Sequence, residues 1–549
     1  MPTHDIIDNR TEKLVDHLNQ SKVLLNANGS IGLNVAETPD YPRLADFLRE
    51  MDRLGVAQAV VWNKSAVPHA RGGNRRLLDS IRACAGARGR IFPALVIAPA
   101  MLYEKGALDD LTDTMGREGI RALRAIPNDL YYDLRQLEFL LKHLIRFKPV
   151  LMVHVREIGD SQPLLFFAER FPSIKFIITE AMWGDMGIVF DCMRRRPNIM
   201  VETSWIHTQG TLDLLAREFG PSRVVFGMGP RSHSGAAIAG LVNGGLDQKT
   251  MRMVGRDNMA KLLGLKAPPP VVKPAGKAEN SFWHKLLRGE KLGVPVIDAH
   301  SHLGPSSRWY MEEGDSPAMV RQMLARMDRI GVGLTVTFPG SNPLADDVVA
   351  GNEFLENVTL PHHGRLKGMI SFHPAYAAEL AGKLDDFFAR DFFVGFKILC
   401  SYWKVPVTDP VFVPAWKYAN RHRLPILIHS WGSGGLDSPG RLQEIVKRYP
   451  RAIFILGHSG GNDSGRLEAE ALALANKNVF LEWCGSFCGT RSWEKTIEKV
   501  GNRRIVFGTD AVYHSIDWEL GRLLSLDVSE EVLKPILGEN MRGILARRV

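Results

Sequence analysis

Met51-Asp52-Arg53-Leu54-Gly55-Val56 returns about 280 residues later as Met327-Asp328-Arg329-Ile330-Gly331-Val332, and self-similarity at a fixed period constrains a fold more than any local pattern does. Arg223-Val224-Val225-Phe226-Gly227 returns as Arg504-Ile505-Val506-Phe507-Gly508, and Asn258-Met259 returns as Asn540-Met541. The matches are colinear, so the chain is one architecture written twice. Between the copies, Pro268-Pro269-Pro270, Pro274, Gly276 and nearby lysines read as an extended linker. The expected division is a first domain at 1–265, a Pro/Lys-rich linker at 266–281 and a second domain at 282–549. The stretch Phe282 to Leu292 reads as an opening helix, matching Thr11 to Leu18 in the first copy.

The second half holds eight short apolar runs, most of them separated by helix-like, charge-bearing segments: Val296–Ala299, Leu334–Phe338, Leu366–Phe372, Val394–Leu399, Pro425–Ile428, Ala452–Leu456, Val479–Glu482 and Ile505–Gly508. The first half repeats them as Val23–Leu25, Ala57–Trp62, Ile91–Ile97, Ile120–Leu123, Pro149–Val153, Phe176–Thr179, Ile199–Glu202 and Val224–Gly227. Near-continuous apolar runs suit strands covered on both faces, and eight strand-then-helix units per half predict an α/β fold of two tandem (β/α)8 TIM-type barrels. A doubly wound open sheet ranks below, because no Gly-rich phosphate turn follows a first strand.

Composition narrows the function classes. Hydrophobic residues make up 45% and charged residues 23%, as in a globular domain. No charged-then-apolar leader and no apolar run near 18 residues is present, so the expected location is cytoplasmic, with no membrane partner. The five cysteines, odd in number, fit reduced thiols; Cys484 and Cys488 lack the second pair a structural metal site would want. The net charge of +9 is scattered, with short clusters such as Arg194-Arg195-Arg196. It suits a solvated surface or attraction of an anionic substrate rather than a nucleic-acid groove.

In such a barrel the working residues stand just past the C-terminal ends of strands. The first run of the second half ends in His300-Ser301-His302, the fifth in His429, the sixth in His458 and the eighth in Asp510. Residues two apart on a strand share a face, so His300 and His302 can converge on one divalent ion. Four histidines and an aspartate at equivalent ends open onto one mouth, which predicts a metal site. Lys397 lies on the fourth strand and reads as a substrate contact or a group that orients a ligand. Past the strand ends, Tyr402, Trp403, Trp431, Trp483, Arg491 and His514 are candidate substrate contacts. Aromatic walls with a cation suit a flat, aromatic or carboxylate-bearing molecule.

The Ile-Asp-Ala-His-Ser-His opening, the later histidines and the Phe-Gly-Thr-Asp closing resemble the amidohydrolase superfamily, specifically its amidohydrolase-2 branch of lactonases, other hydrolases and aminocarboxymuconate-semialdehyde-type and hydroxybenzoate decarboxylases. The resemblance implies that His300, His302, His429 and Asp510 bind one divalent ion, zinc foremost, with manganese or iron as alternatives. It further implies that His458 is the acid/base residue beside the open coordination position; by the chemistry of a metal-bound water, Asp510 or His458 takes its proton and later delivers it to the leaving group.

The first copy has lost most of this set. Asn28 and Ser30 stand where the second has His300 and His302, Glu180 faces His458, Gly229 faces Asp510, and only His154, opposite His429, survives. One imidazole, an amide and a hydroxyl make a poor divalent site, so the first barrel is expected to be non-catalytic. It can stand in for the partner of an ancestral homodimer, with Arg194, Arg195 and Arg196 as candidates to reach the neighbouring site. The leading expectation is metal-dependent hydrolysis of an amide, lactone or related carbonyl substrate. The alternatives are metal-dependent, non-oxidative decarboxylation of an aromatic or muconate-like acid, and a non-catalytic metal-binding scaffold. The expected partner is a small molecule, anionic or aromatic, with the two barrels paired within one chain and further homodimerisation left open.

Overall fold

A computed structural model describes residues 23–34, 40–231, 233–266, 281–311, 313–340, 344, 347–485 and 490–547. The chain divides into two units, residues 1–207 with 211–277, and residues 278–549 with 208–210.

In the first unit, β1 (Leu24–Ile31), β2 (Val56–Asn63), β3 (Ile91–Ile97), β4 (Ala122–Ala125), β5 (Val150–His154), β6 (Lys175–Thr179), β7 (Ile199–Glu202) and β8 (Val224–Val225) form one sheet in chain order. All its pairs are parallel. The Ala27 amide donates to the Phe226 carbonyl at 2.8 Å and joins the two ends of the sheet. In the second unit, β9 (Val296–Leu303), β10 (Val332–Pro339), β11 (Leu366–Ser371), β12 (Phe393–Ile398), β13 (Pro425–His429), β14 (Ile453–Gly457), β15 (Val479–Trp483) and β16 (Ile505–Phe507) do the same. There the amides of Thr509 and Asp510 close the ring on the His300 carbonyl. Each unit is a (β/α)8 barrel. Crossover helices cover the strands' outer faces, while Ile297, Val336, Met369, Leu427, Ile455 and Val506 share the inward face of Lys397 and Glu482 and are buried together inside the barrel.

The predicted strands fall on observed ones with shifted ends. The eighth strand of the first copy is shorter than the predicted Val224–Gly227, and its fourth lies two residues later than Ile120–Leu123. The opening helix of the second copy is Ser281–Leu287, ending before Gly289, whose φ of 69° is left-handed. Thr11–Leu18, and the linker apart from residues 266 and 281, lie outside the described residues.

The repeated dipeptides have a mechanical reason. The Asn540 side-chain amide donates to the carbonyls of Asn502 and Ile505, both at 2.7 Å, while Asn258 donates to Pro221 and Val224, both at 2.8 Å. These carbonyls border the last strand, where short β8 and β16 offer few ladder bonds. Asn540→Ala strands two acceptors and is expected to cost about 1–3 kcal/mol, read as a lower midpoint for the second barrel in denaturant. Arg504 likewise binds the carbonyls of Ala473, Asn476 and Val479, as Arg223 binds those of Met193, Arg196 and Ile199.

Candidate metal centre

β9 does not stop at Ala299 but runs through both histidines to Leu303. Asp298 pairs with Thr335 and Ser301 with Thr337, so β9 carries one extra residue there, and a bulge of this kind re-aims side chains. β1 has the same irregularity between Asn26 and Gly29. Asp298 braces the bulge: its carboxylate accepts the amides of His300 at 3.1 Å and Thr509 at 3.0 Å, and the Thr509 hydroxyl at 2.7 Å. Burial pushes this carboxyl up to about 7.

Asp510, just past β16, has a left-handed φ of 61°. That turn carries its Oδ1 to 2.9 Å from His302 Nε2 and 3.4 Å from His300 Nε2. His300, His302 and Asp510 thus bring one ligand atom each within 4.8 Å of one another. Burial raises the Asp510 pKa, but the bond from His302 and the neighbouring imidazoles outweigh it and hold the carboxyl well below its ordinary value. Desolvation, then the Lys397 charge, holds His300 well below the usual histidine value. The chemistry of this donor set, two imidazoles and a carboxylate from two strand ends, fits a divalent ion.

His429, at the end of β13, is not among the three ligand atoms brought within 4.8 Å; its ring lies 5.0 Å from that of His458. Its Nδ1 lies 2.6 Å from the buried Asp437 carboxylate. With the proton held on Nδ1, Nε2 keeps its lone pair for a ligand. Asp437→Ala frees the ring and is expected to lower metal affinity about 10–100-fold, measured by competition with a chelator. His458 follows β14 in a left-handed turn, φ 61°, with its amide donating to Glu482 Oε2 at 2.9 Å and its ring 5.1 Å from His300.

Lys397 is fully buried on β12, with Nζ 2.9 Å from His300 Nε2 and 4.2 Å above the Phe338 ring. Burial lowers its pKa to about 8. Its place is against a predicted ligand. Trp431 lies parallel to the His429 ring at 6.1 Å, and Tyr402 meets His429 edge-on at 5.2 Å. Trp403 packs instead on His373 and Phe412. His514 bonds Glu519 at 3.0 Å and lies 6.3 Å from Trp309. The Arg491 side chain and Cys488 lie outside what is described.

Trp483 is the expectation the structure corrects. β15 extends through it, and strand alternation sends Glu482 into the barrel and Trp483 outward. It is fully buried against Trp493, ring centroids 4.6 Å apart, and under the Arg522 guanidinium. It is a packing residue between strand and helices, not part of the mouth.

Glu482, Trp309 and Tyr513 escape the sequence reading, and Cys484 is set aside there for want of a second cysteine pair. Glu482 Oε2 stands 3.2 Å from His300 Nδ1, and burial pushes the carboxyl up to about 8. A β-carbon at Gly508 would collide with Glu482 Oε1, so the repeated Phe-Gly leaves room for this carboxylate. Cys484 Sγ lies 3.3 Å from both His300 Nδ1 and His458 Nδ1. Tyr513 stacks on Trp309 at 4.8 Å and faces His302 at 4.7 Å. The side-chain parity of β15 was the signal available for Glu482; the others come from loops with no periodicity to read.

The first barrel keeps the frame and changes its contents. Glu180 and Gly229 retain left-handed φ values of 59° and 68°. By register, Arg124 opposite Met152 on β5 takes the place of Lys397 opposite Leu427 on β13. Asn28, Ser30, Arg124, His154, Glu180 and Gly229 line a cavity of about 290 Å³. Asn28 donates to Glu180 at 3.0 Å, Arg124 donates to Asn28 at 3.1 Å, and His154 Nε2 is 3.3 Å from Glu180. Burial raises the Glu180 pKa, but His154, Arg124 and Asn28 together bring it down to about 2. The backbone amide of Arg156 donates to His154 Nδ1 at 3.0 Å. Neutral His154 therefore carries its proton on Nε2, the opposite tautomer to His429. Within this barrel Arg195 pairs with Asp191, Arg196 with Glu169, and Arg194 lies over Phe219.

A family model described as amidohydrolase matches residues 35–265 and again 297–545. The chain belongs to this amidohydrolase family. No curated protein matches the amidohydrolase chain by sequence. Among solved structures it is similar to 5-carboxyvanillate decarboxylase from Sphingomonas paucimobilis, at 15% identity over 46% of this chain and 99% of that one, TM-score 0.36. It is also similar to 2,6-dihydroxybenzoate decarboxylase from Rhizobium, at 16% identity over 46% and 99%, TM-score 0.38. A third is a dihydroxybenzoic acid decarboxylase from Polaromonas with bound manganese and 2-nitroresorcinol, at 16% identity over 46% and 97%, TM-score 0.36. No helix among the described residues is long and apolar enough to cross a membrane.

Proposed function

We propose that the second barrel is a divalent-metal hydrolase of a small, planar carbonyl compound, an amide or lactone, and that the first barrel is a non-catalytic copy. The convergence of His300, His302 and Asp510 beside His458 carries this reading. His300, His302 and Asp510 would hold the ion, with His429 completing the set. Such an ion acidifies a water and polarises a carbonyl, and zinc, manganese and iron are all compatible with these donors. His458 and Asp510 take the proton from the attacking water and return it to the leaving group. Glu482 orients the His300 ring through Nδ1, and Lys397, 2.9 Å from Nε2, gives up that lone pair when the ion binds. The first barrel supports the division of labour: its one surviving histidine has the tautomer whose Nε2 donates, and Glu180 fills the mouth.

A second reading is metal-dependent decarboxylation of an aromatic acid, favoured by the rings at the mouth, Trp309 on Tyr513 and Trp431 on His429. A panel of lactones, amides and aromatic acids, assayed in oxygen-18 water by pH-stat and carbon-dioxide release, separates the two. Hydrolysis puts the label into the product acid. Carbon dioxide release without incorporated label moves the assignment to decarboxylation. A metal-free protein inert to the whole panel leaves a scaffold.

A further inference from the structure

Behind the predicted ligands lies a second donor set, which joins the Nδ1 atoms of His300 and His458 to Cys484, a residue the hydrolytic reading leaves unused. Cys484 Sγ stands 3.3 Å from His300 Nδ1, 3.3 Å from His458 Nδ1 and 3.1 Å from Glu482 Oε2. Glu482 Oε2 is itself 3.2 Å from His300 Nδ1. His300, His458 and Cys484 are all buried and bring their ligand atoms within 4.8 Å of one another. A four-coordinate ion with bonds of about 2.0–2.3 Å holds its donors at about these separations. The set differs in kind from the trio at Asp510, since a thiolate with imidazoles selects soft ions while carboxylate sites accept hard ones.

The twin barrel shows that the set is not a by-product of the fold. Glu202 repeats Glu482, accepting the Glu180 amide at 2.6 Å as Glu482 accepts that of His458. The carboxylate is thus common to both frames. Ser204 stands two residues after Glu202 where Cys484 follows Glu482, and its hydroxyl bonds Glu202. The frame therefore accepts serine at this place, and the soft donors belong to the second barrel alone.

We propose that His300 Nδ1, His458 Nδ1 and Cys484 Sγ, with Glu482, form an inhibitory site for soft divalent ions such as zinc or cadmium. The proposal rests on the second barrel being the metal enzyme described above. Binding expels two protons to solvent, from the Cys484 thiol and from His300 Nδ1, and the freed sulfur and nitrogen lone pairs become the new bonds. With its Nδ1 lone pair on the ion, His458 keeps hydrogen on Nε2 and no longer accepts a proton there. His300 is engaged from the side that Glu482 otherwise holds. The ion at the Asp510 trio supports turnover, and a soft ion in excess at the second set stops it.

The test loads full-length protein with manganese and titrates it with cadmium, following near-ultraviolet thiolate-to-cadmium absorption and turnover together. The wild type is expected to gain the absorption as turnover falls by about 10-fold or more. Cys484→Ser loses that absorption and binds cadmium more than about 100-fold more weakly, beyond what loss of a mere supporting partner costs. Its cadmium inhibition, relative to its own uninhibited rate, disappears over the same range. Absorption that never appears, or that persists unchanged in Cys484→Ser, overturns the soft site while leaving the manganese enzyme intact. Failure to retain manganese or to turn over any substrate before cadmium is added instead condemns the catalytic reading.

Discussion

His300→Asn brings turnover to background and weakens manganese binding by more than about 100-fold, the upper end of the loss expected when only a supporting group is removed. The residue is chosen because Asn28 holds this position in the first barrel, so the bulged strand accepts it. The amide cannot replace an imidazole that meets Asp510 and Lys397 through Nε2 and Glu482 through Nδ1. Buried Lys397 loses its partner, so part of the damage shows as lost stability, of order 1–3 kcal/mol. Thermal unfolding with and without manganese separates the two: the wild type is raised by the ion and His300→Asn is not. Full turnover in a metal-replete His300→Asn protein would remove His300 from the mechanism.

Trp483→Ala has its large effect elsewhere. A fully buried indole against Trp493 and Arg522 leaves a cavity when truncated, and aromatic truncations in cores cost about 3–5 kcal/mol. The expected result is a marked drop in the unfolding midpoint of the second barrel, with KM near that of the wild type below the transition. Trp431→Ala is the contrast, since its ring lies along His429 at the mouth: KM rises and the midpoint scarcely moves. A raised KM with unchanged stability in Trp483→Ala would restore Trp483 to the substrate wall.

The difference between these tryptophans shows what could be read from the chain. Buried parallel strands leave apolar runs at regular intervals, so both barrels and the strand-end histidines were legible. Trp483 faces outward because β15 continues one residue past the run Val479–Glu482 and keeps its alternation there, and the run itself does not show where pairing stops. Glu482 reaches His300 across 182 positions, a contact set by barrel closure and by Gly508 rather than by spacing. Asp437, Trp309 and Tyr513 lie in loops, where position follows from local turns. The two copies together were more informative than either alone. Asn28, Ser30, Glu180 and Gly229 marked what the first lacks, and the opposed tautomers of His154 and His429 supply a physical reason.

The central claim is that metal chemistry belongs to the second barrel alone. The most direct measurement is the manganese content of the full chain after dialysis, compared for the wild type, Asp510→Asn and His154→Ala. The account predicts one tightly held ion in the wild type and in His154→Ala, and none in Asp510→Asn. Manganese retained by Asp510→Asn, or lost from His154→Ala, would contradict it.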